Sequence, residues 1–298
     1  MKVKVFDIVR FPCMLLVLLF LFACREKTIK EEVEVKTVKD DLGRTVEIPA
    51  FPKRVISLSP SITEILYAIG VEDRLIARTQ NDSFPKAVLA KPLVNNYPVD
   101  LEQLVFLHPD LALVKEGMLS LDDAERIQEL GIPVYFQKYN SIPAIYSGIR
   151  VLGNIMQTAQ RAGFVADSLK RQIDAIAEKN KAVQKKKVLL VISEEPVFVY
   201  GKDSYASSLL EVAGGVNAVT EVLDNPFPVL RREYILKIDP EVFIGVNEKS
   251  FFKKYPELKR TEAYKNKKIF KVNSVILSRP GPRVVEGIRA LEKVIHEK

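Results

Sequence analysis

Short apolar runs alternate with helical repeats along most of the chain. Val55-Ile56-Ser57-Leu58 is an apolar run of strand length. Residues 61–70 follow at helical spacing, with Ser61 and Glu64 at capping-box separation and Gly70 as the stop. The same alternation predicts strands at residues 75–78, 111–114 and 132–136, and helices at about 100–107 and 122–130. From Pro143 to Glu195 the pattern changes and proline is absent after Pro143. Ile145, Ile149, Leu152, Met156 and Ala159 step by four and three, and Leu169, Ile173 and Ile176 continue the style. This predicts one long helix, or two with a break near Thr158. A second part reaching Val183 would be about 39 Å long. Strands at 188–193, 242–246 and 269–272 and helices at 204–214 and 283–296 complete the chain. The expected architecture is α/β: two lobes with mostly parallel sheets joined by a long helix. The N-terminal lobe covers residues 40–141, the helical connector 142–184 and the C-terminal lobe 185–298.

The two halves echo each other. Glu102 stands seven residues before Pro109 of Pro109-Asp110, and Glu233 seven before Pro240 of Pro240-Glu241. An apolar strand follows each turn. Six residues before each glutamate lie Asn96, with Tyr97 beside it, and Phe227, each next to a proline-containing loop.

The first residues change the compartment. Lys2, Lys4 and Arg10 precede an apolar run from Phe11 to Ala23, about 13 residues long and shorter than the roughly 20 of a spanning helix. It reads as the core of a secretory signal, residues 1–23. Leu21-Phe22-Ala23-Cys24 resembles a bacterial lipobox, which makes Cys24 the lipidated first residue of the mature chain. Residues 24–39 then read as a polar tether at the membrane. With Cys13 removed and Cys24 lipidated, no thiol is left for a disulfide, so stability rests on the core. Hydrophobic residues make up 47% and charged ones 28%, a globular balance rather than a disordered one. The net charge of +7 is spread among acids. Its densest run, Lys185-Lys186-Lys187, reads as a solvated helix end rather than a nucleic-acid patch.

Pro52-Lys53-Arg54-Val55-Ile56-Ser57-Leu58-Ser59-Pro60-Ser61 resembles the opening of the cobalamin- and ferric-siderophore-binding proteins of ABC importers. Asp41-Leu42-Gly43-Arg44, Leu101-Glu102, Pro109-Asp110, Gly201-Lys202-Asp203-Ser204, Ala213-Gly214-Gly215 and Arg279-Pro280-Gly281-Pro282-Arg283 match further landmarks in order. The resemblance spans residues 40–298. It implies the helix-bridged (class III) periplasmic-binding-protein fold, with a ligand in the cleft between lobes. It implies a metal chelate as that ligand, a corrinoid or a ferric siderophore, with haem as the alternative. It assigns ligand contacts to Ser59, Phe84, Tyr97, Phe198, Phe227 and Arg279. It gives Glu102 and Glu233, one per lobe, the role of docking onto arginines of a permease dimer. The implied protein is a monomer, lipid-anchored in the periplasm or on the outer face of a bacterial cytoplasmic membrane, with no cofactor and no nucleic-acid partner.

Rival functions find less support. Carriers of free zinc or manganese need several histidines, and this chain has two, His108 and His296, far apart. No nucleophile elbow, Walker loop or dinucleotide fingerprint occurs, so no catalytic residue is assigned. A surface receptor that keeps the fold without a permease is the third option.

Overall fold

A parallel strand buried on both faces needs helices on each side of its sheet, and the chain supplies them twice. In the computed structural model, residues 34–95, 97–221 and 225–297 are described. Cys24, the secretory signal and Asn96 lie outside them. The chain enters through an antiparallel pair, β1 (Val35–Lys39) and β2 (Thr45–Pro49). The tether expected up to residue 39 therefore gives way to a strand from Val35 onward. Its turn is built on Asp40, whose carboxylate accepts from Leu42 N and Arg44 N at 3.0 Å each and pairs with the Arg44 guanidinium at 2.8 Å. Arg44 in turn donates to Val134 O at 2.7 Å and lies over the Phe136 ring, fastening the pair to the first lobe.

The N-terminal sheet has order β4-β3-β5-β6, all parallel: β3 (Val55–Ser57), β4 (Leu75–Ala77), β5 (Leu111–Lys115) and β6 (Val134–Gln137). Helices α1 (Pro60–Ala68), α2 (Leu101–Leu107) and α3 (Leu121–Glu129) cover it, with a 3-10 turn at Lys86–Ala90. Helix α1 begins two residues earlier than the capping-box spacing implied. Ser59 occupies the N-cap position and Pro60 the first helical position, where its missing N–H costs nothing. Ser61 and Glu64 are thus interior residues of α1, and both are buried.

The connector is a helical hairpin rather than a strut with a kink. Helix α4 (Ile142–Ile155) and helix α5 (Ala159–Asn180) are separated at Thr158 and run back along each other. Gly153 permits the close crossing, since a Cβ there would lie 2.2 Å from Ala162 Cβ. Arg150 pairs with Asp167 at 2.6 Å farther along. Helix α5 carries the chain from one lobe to the other and is about 33 Å long at 1.5 Å per residue. Near its start Arg161 caps α1 at Ala68 O (3.1 Å), and at its end Asn180 donates to Val212 O (3.1 Å) in the second lobe.

The C-terminal sheet repeats the plan. Its order is β11-β10-β7, with β9 parallel to the start of β7 and β8 antiparallel to its end. These strands are β7 (Lys186–Glu194), β8 (Val197–Val199), β9 (Gly215–Asn217), β10 (Val242–Ile244) and β11 (Ile269–Phe270). Helices α6 (Tyr205–Val212), α7 (Arg232–Ile238), α8 (Glu248–Lys254), α9 (Glu262–Lys265), α10 (Ser274–Ser278) and α11 (Val284–Ile295) flank it. The lysine run begins β7 instead of ending the connector. Lys186 Nζ donates to Ile295 O at 2.9 Å and Lys187 Nζ to Ile238 O at 3.2 Å. Both cations thus sit on helix C-termini, where the macrodipole favours them.

Each sheet has a private core on its outer face, around Phe136 in one lobe and around Phe243, Phe251 and Phe252 in the other. The inner faces share one continuous apolar core that runs from Val46 and Ile62 through Leu152, Leu169 and Ile173 to Leu190, Leu209 and Ile288. A scaffold with its two lobes built into one core resists hinge opening more than one with a solvated linker.

Candidate functional site: a cavity between the lobes

Ligands of parallel α/β sheets bind beyond the carboxyl ends of the strands. Here those ends face a cavity of about 560 Å³. The N-terminal lobe lends Lys115, Glu116 and Gly117 from the end of β5, and Tyr139 and Asn140 from the segment after β6. The C-terminal lobe lends Ile192, Phe198, Tyr200, Tyr205, Phe227 and Leu277, among others. The aromatic side depends on the unusual length of β7. Beyond residue 190 it leaves the sheet and folds back as a hairpin with β8, which carries Phe198. Phe198 bridges to Val229, so the segment bearing Phe227 is held against the hairpin. Gly201 permits this contact: Gly201 N donates to Pro226 O at 2.8 Å, and a Cβ would lie 3.1 Å from that oxygen. Phe227 meets Tyr200 edge-to-face at 5.9 Å between centroids. Phe227 and Ile192 are nonetheless half-exposed, apolar surface left open toward the cleft.

Polar groups are few and differently placed. Tyr139 is buried and its hydroxyl bonds to Gln137 Oε1; burial holds its ionisation well above the ordinary tyrosine range. The Tyr205 hydroxyl is buried without a hydrogen-bond partner among the described residues. Burial, with the nearby Glu64 charge adding to it, pushes its ionisation up as well. Among the described residues, no group of three or more His, Cys, Asp or Glu side chains is arranged to hold a metal ion.

Of the six residues expected to touch the ligand, Phe198 and Phe227 come together on this wall. The other four lie off it. Ser59 is buried behind β5, where its Oγ accepts from Lys115 N at 2.8 Å. Tyr97 stands on the surface with 87% of its area exposed. Arg279 and Phe84 belong to a clasp between the lobes. Its centre is Glu64 of α1, only 4% exposed. Arg283 grips both carboxylate oxygens, at 2.8 and 2.5 Å, and Arg279 lies 3.7 Å away. Arg279 also donates to Asn81 O at 2.6 Å and Ser83 Oγ at 3.1 Å, while Phe84 carries the Arg283 guanidinium on its ring at 4.3 Å. The physical reason is charge: a carboxylate buried in one lobe claims both arginines of the other.

Glu102 and Glu233 occupy equivalent exposed positions in the first turns of α2 and α7. Both helices have seven residues and end in a left-handed residue, His108 (φ 45°) or Asp239 (φ 41°), before the proline. Asp110 Oδ2 accepts from Lys53 N and Arg54 N at 2.6 and 3.0 Å, and Glu241 Oε2 from Lys187 N at 2.8 Å. Arg54 caps the carbonyls of Leu107 and His108 as Lys187 caps Ile238. Glu233 pairs with Arg232 at 3.0 Å, and its own backbone N–H and that guanidinium hold its carboxyl below the usual range. Glu102 has no ion-pair partner among the described residues.

Two parallel-sheet lobes bridged by a single helix, with an aromatic cavity between them, define the class III periplasmic-binding-protein architecture. Residues 55–275 match the periplasmic binding protein family, and the chain belongs to it. The ABC transporter substrate-binding lipoprotein YvrC of Bacillus subtilis (strain 168) is 30% identical over 279 residues, 90% of this chain and 87% of YvrC. The vitamin B12-binding protein of Vibrio parahaemolyticus is 26% identical, over 79% of this chain and 86% of its own. A periplasmic solute-binding protein from Staphylococcus epidermidis superposes with a TM-score of 0.74 at 27% identity, covering 83% of this chain and 99% of that one.

Proposed function

We propose that this chain is the substrate-binding lipoprotein of an ABC importer, and that it captures a metal chelate, a corrinoid or a ferric siderophore, between its lobes. The aromatic wall of Phe198, Phe227 and Tyr200 carries this reading. Flat, largely apolar chelates bury most area against rings, and about 560 Å³ is within the usual range for small-molecule sites. The similarity to YvrC supports the role of a substrate-binding lipoprotein, and the similarity to a vitamin B12-binding protein supports a corrinoid as cargo. Cys24 receives the lipid that keeps the protein, as a monomer, at the outer face of the cytoplasmic membrane or in the periplasm.

Glu102 and Glu233 dock on the permease dimer. Their matching settings on two halves of one rigid body suit a partner with two similar subunits. Val105 and Phe106, three and four residues after Glu102, share its exposed face, and Phe106 is 79% exposed. An apolar side chain beside a charge suits a protein contact.

The chain has no tryptophan and ten tyrosines, so quenching of tyrosine emission reads binding directly. Titration with cobalamin, a ferric hydroxamate and haemin should give one-to-one saturation with a member of the first two. Saturation by none of the three, or turnover of a chelate, would remove the reading. The double variant Glu102→Ala/Glu233→Ala should bind the chelate normally and abolish its uptake by cells.

A further inference from the structure

The aromatic wall explains how an apolar face is held but leaves one residue of the cavity without a task. Lys115 ends β5, a central strand whose other four residues are fully buried apolar side chains. A lysine at such a position is held by its backbone: Lys115 N donates to Ser59 Oγ, and its Cα pairs with Gln137 in β6. Its half-buried side chain forms part of the cavity wall. The ammonium group has neither a hydrogen bond nor an ion pair with any described residue. The neighbouring Glu116 is taken by Lys138 at 2.8 Å. The remaining charged side chain of the wall, Asp203, belongs to the opposite lobe and is exposed. Burial already lowers the proton affinity of the Lys115 amine, with the Glu116 charge opposing it. A half-buried ammonium that makes no ion pair, its neighbouring Glu116 being shared with Lys138, is costly in the empty protein, and an anion beside it would reduce that cost.

We propose that Lys115 is the anion-selecting residue of the cavity, so that the cargo carries an acidic group, a phosphate or a carboxylate, presented to the N-terminal lobe while its apolar face rests on Phe198 and Phe227. This rests on the chelate reading above and narrows it to acidic chelates. The two lobes then divide the recognition: the C-terminal lobe supplies area and the N-terminal lobe supplies charge. Lys115 is a specificity residue, reached by the ligand itself.

The test uses the whole protein and the variants Lys115→Met and Lys115→Arg. Cobalamin, which carries a phosphodiester, is compared with cobinamide, which lacks it. A ferric hydroxamate bearing a carboxylate that does not ligate the iron is compared with its ester. Lys115→Met should bind the acidic member of the pair that binds at least about tenfold more weakly than the native protein does. It should bind the counterpart that lacks the acidic group equally, and Lys115→Arg should recover most of the loss. The Met variant should melt at the same temperature or higher, because it buries no unpaired charge. Equal binding of the acidic chelate by native protein and Lys115→Met overturns the proposal. A second probe separates this result from failure of the chelate reading. The aromatic sulfonate 8-anilinonaphthalene-1-sulfonate needs only an apolar wall and a cation. If no chelate binds yet the sulfonate binds about tenfold more weakly to Lys115→Met, the chelate reading falls and the anion preference stands. If the sulfonate also ignores the substitution, the proposal is overturned.

Discussion

The two lobes share a plan, and the difference that shapes the cleft is the length of the central strand. In the N-terminal lobe β3 has three residues and passes at once into α1. In the C-terminal lobe β7 has nine, and its last part leaves the sheet to form the hairpin that carries Phe198 and braces Phe227. Away from the cleft the lobes match almost bond for bond, with a basic residue capping a short helix and an acid closing the following turn. The difference teaches where repetition is free to break. The helix-Pro-acid-strand turn must satisfy the same buried backbone groups in both lobes, and few side chains can do so. The strand ends facing the cleft satisfy no such demand, so one lobe builds an aromatic wall there and the other ends in a lysine.

Cutting the lobes apart should have the largest effect. Glu64→Ala leaves Arg283 and Arg279 facing each other at the interface, and should lower the unfolding free energy by about 3–5 kcal/mol in urea denaturation. A loss under about 1 kcal/mol would mean that the clasp is not a tie between lobes. Next come the matched turns. Asp110→Ala and Glu241→Ala should each cost about 1–3 kcal/mol, with Asp110 the more costly because it accepts two backbone N–H groups where Glu241 accepts one. The aromatic side sharpens the contrast further. Phe227→Ala should weaken chelate binding about tenfold or more through lost contact area, with little change in melting temperature because Phe227 is half-exposed. Tyr97→Ala, at the echoing place in the other lobe, should change neither quantity. Smallest of all, removing the Glu102 and Glu233 carboxylates should leave the urea midpoint where it was, since both are exposed.

Much of the scaffold was legible because its signals are local. Apolar runs of strand length, helix stops at Gly70 and Gly131, and the repeated Glu…Pro-acid spacing carry the two-lobe plan in the chain itself. The errors arose where a long-range partner decides. Ser61 and Glu64 have capping-box spacing, yet Glu64 is drawn inward by two arginines more than two hundred residues away. The contacts of Arg279 with the Glu64 carboxylate and Asn81 O come from the other lobe, about two hundred residues away, and no local pattern announces them. The lysine run resembles a helix end because its true partners, the carbonyls of Ile238 and Ile295, come later in the chain. Residues 35–39 look like a polar tether since a two-stranded edge ribbon needs an apolar face on one side only. Lys115 does carry a local signal, a lysine closing a four-residue apolar run at the carboxyl end of a parallel strand.

The central claim is that the cargo sits between the lobes, with its flat face on the aromatic hairpin. A crystal structure with whichever chelate binds most tightly tests it most directly. The account places the metal within the inter-lobe cavity, rings of Phe198 and Phe227 against one face of the chelate, and its acidic group toward Lys115. A chelate found on the exposed surface near Tyr97, or in the groove lined by Tyr146, Lys170 and Glu211, would contradict it.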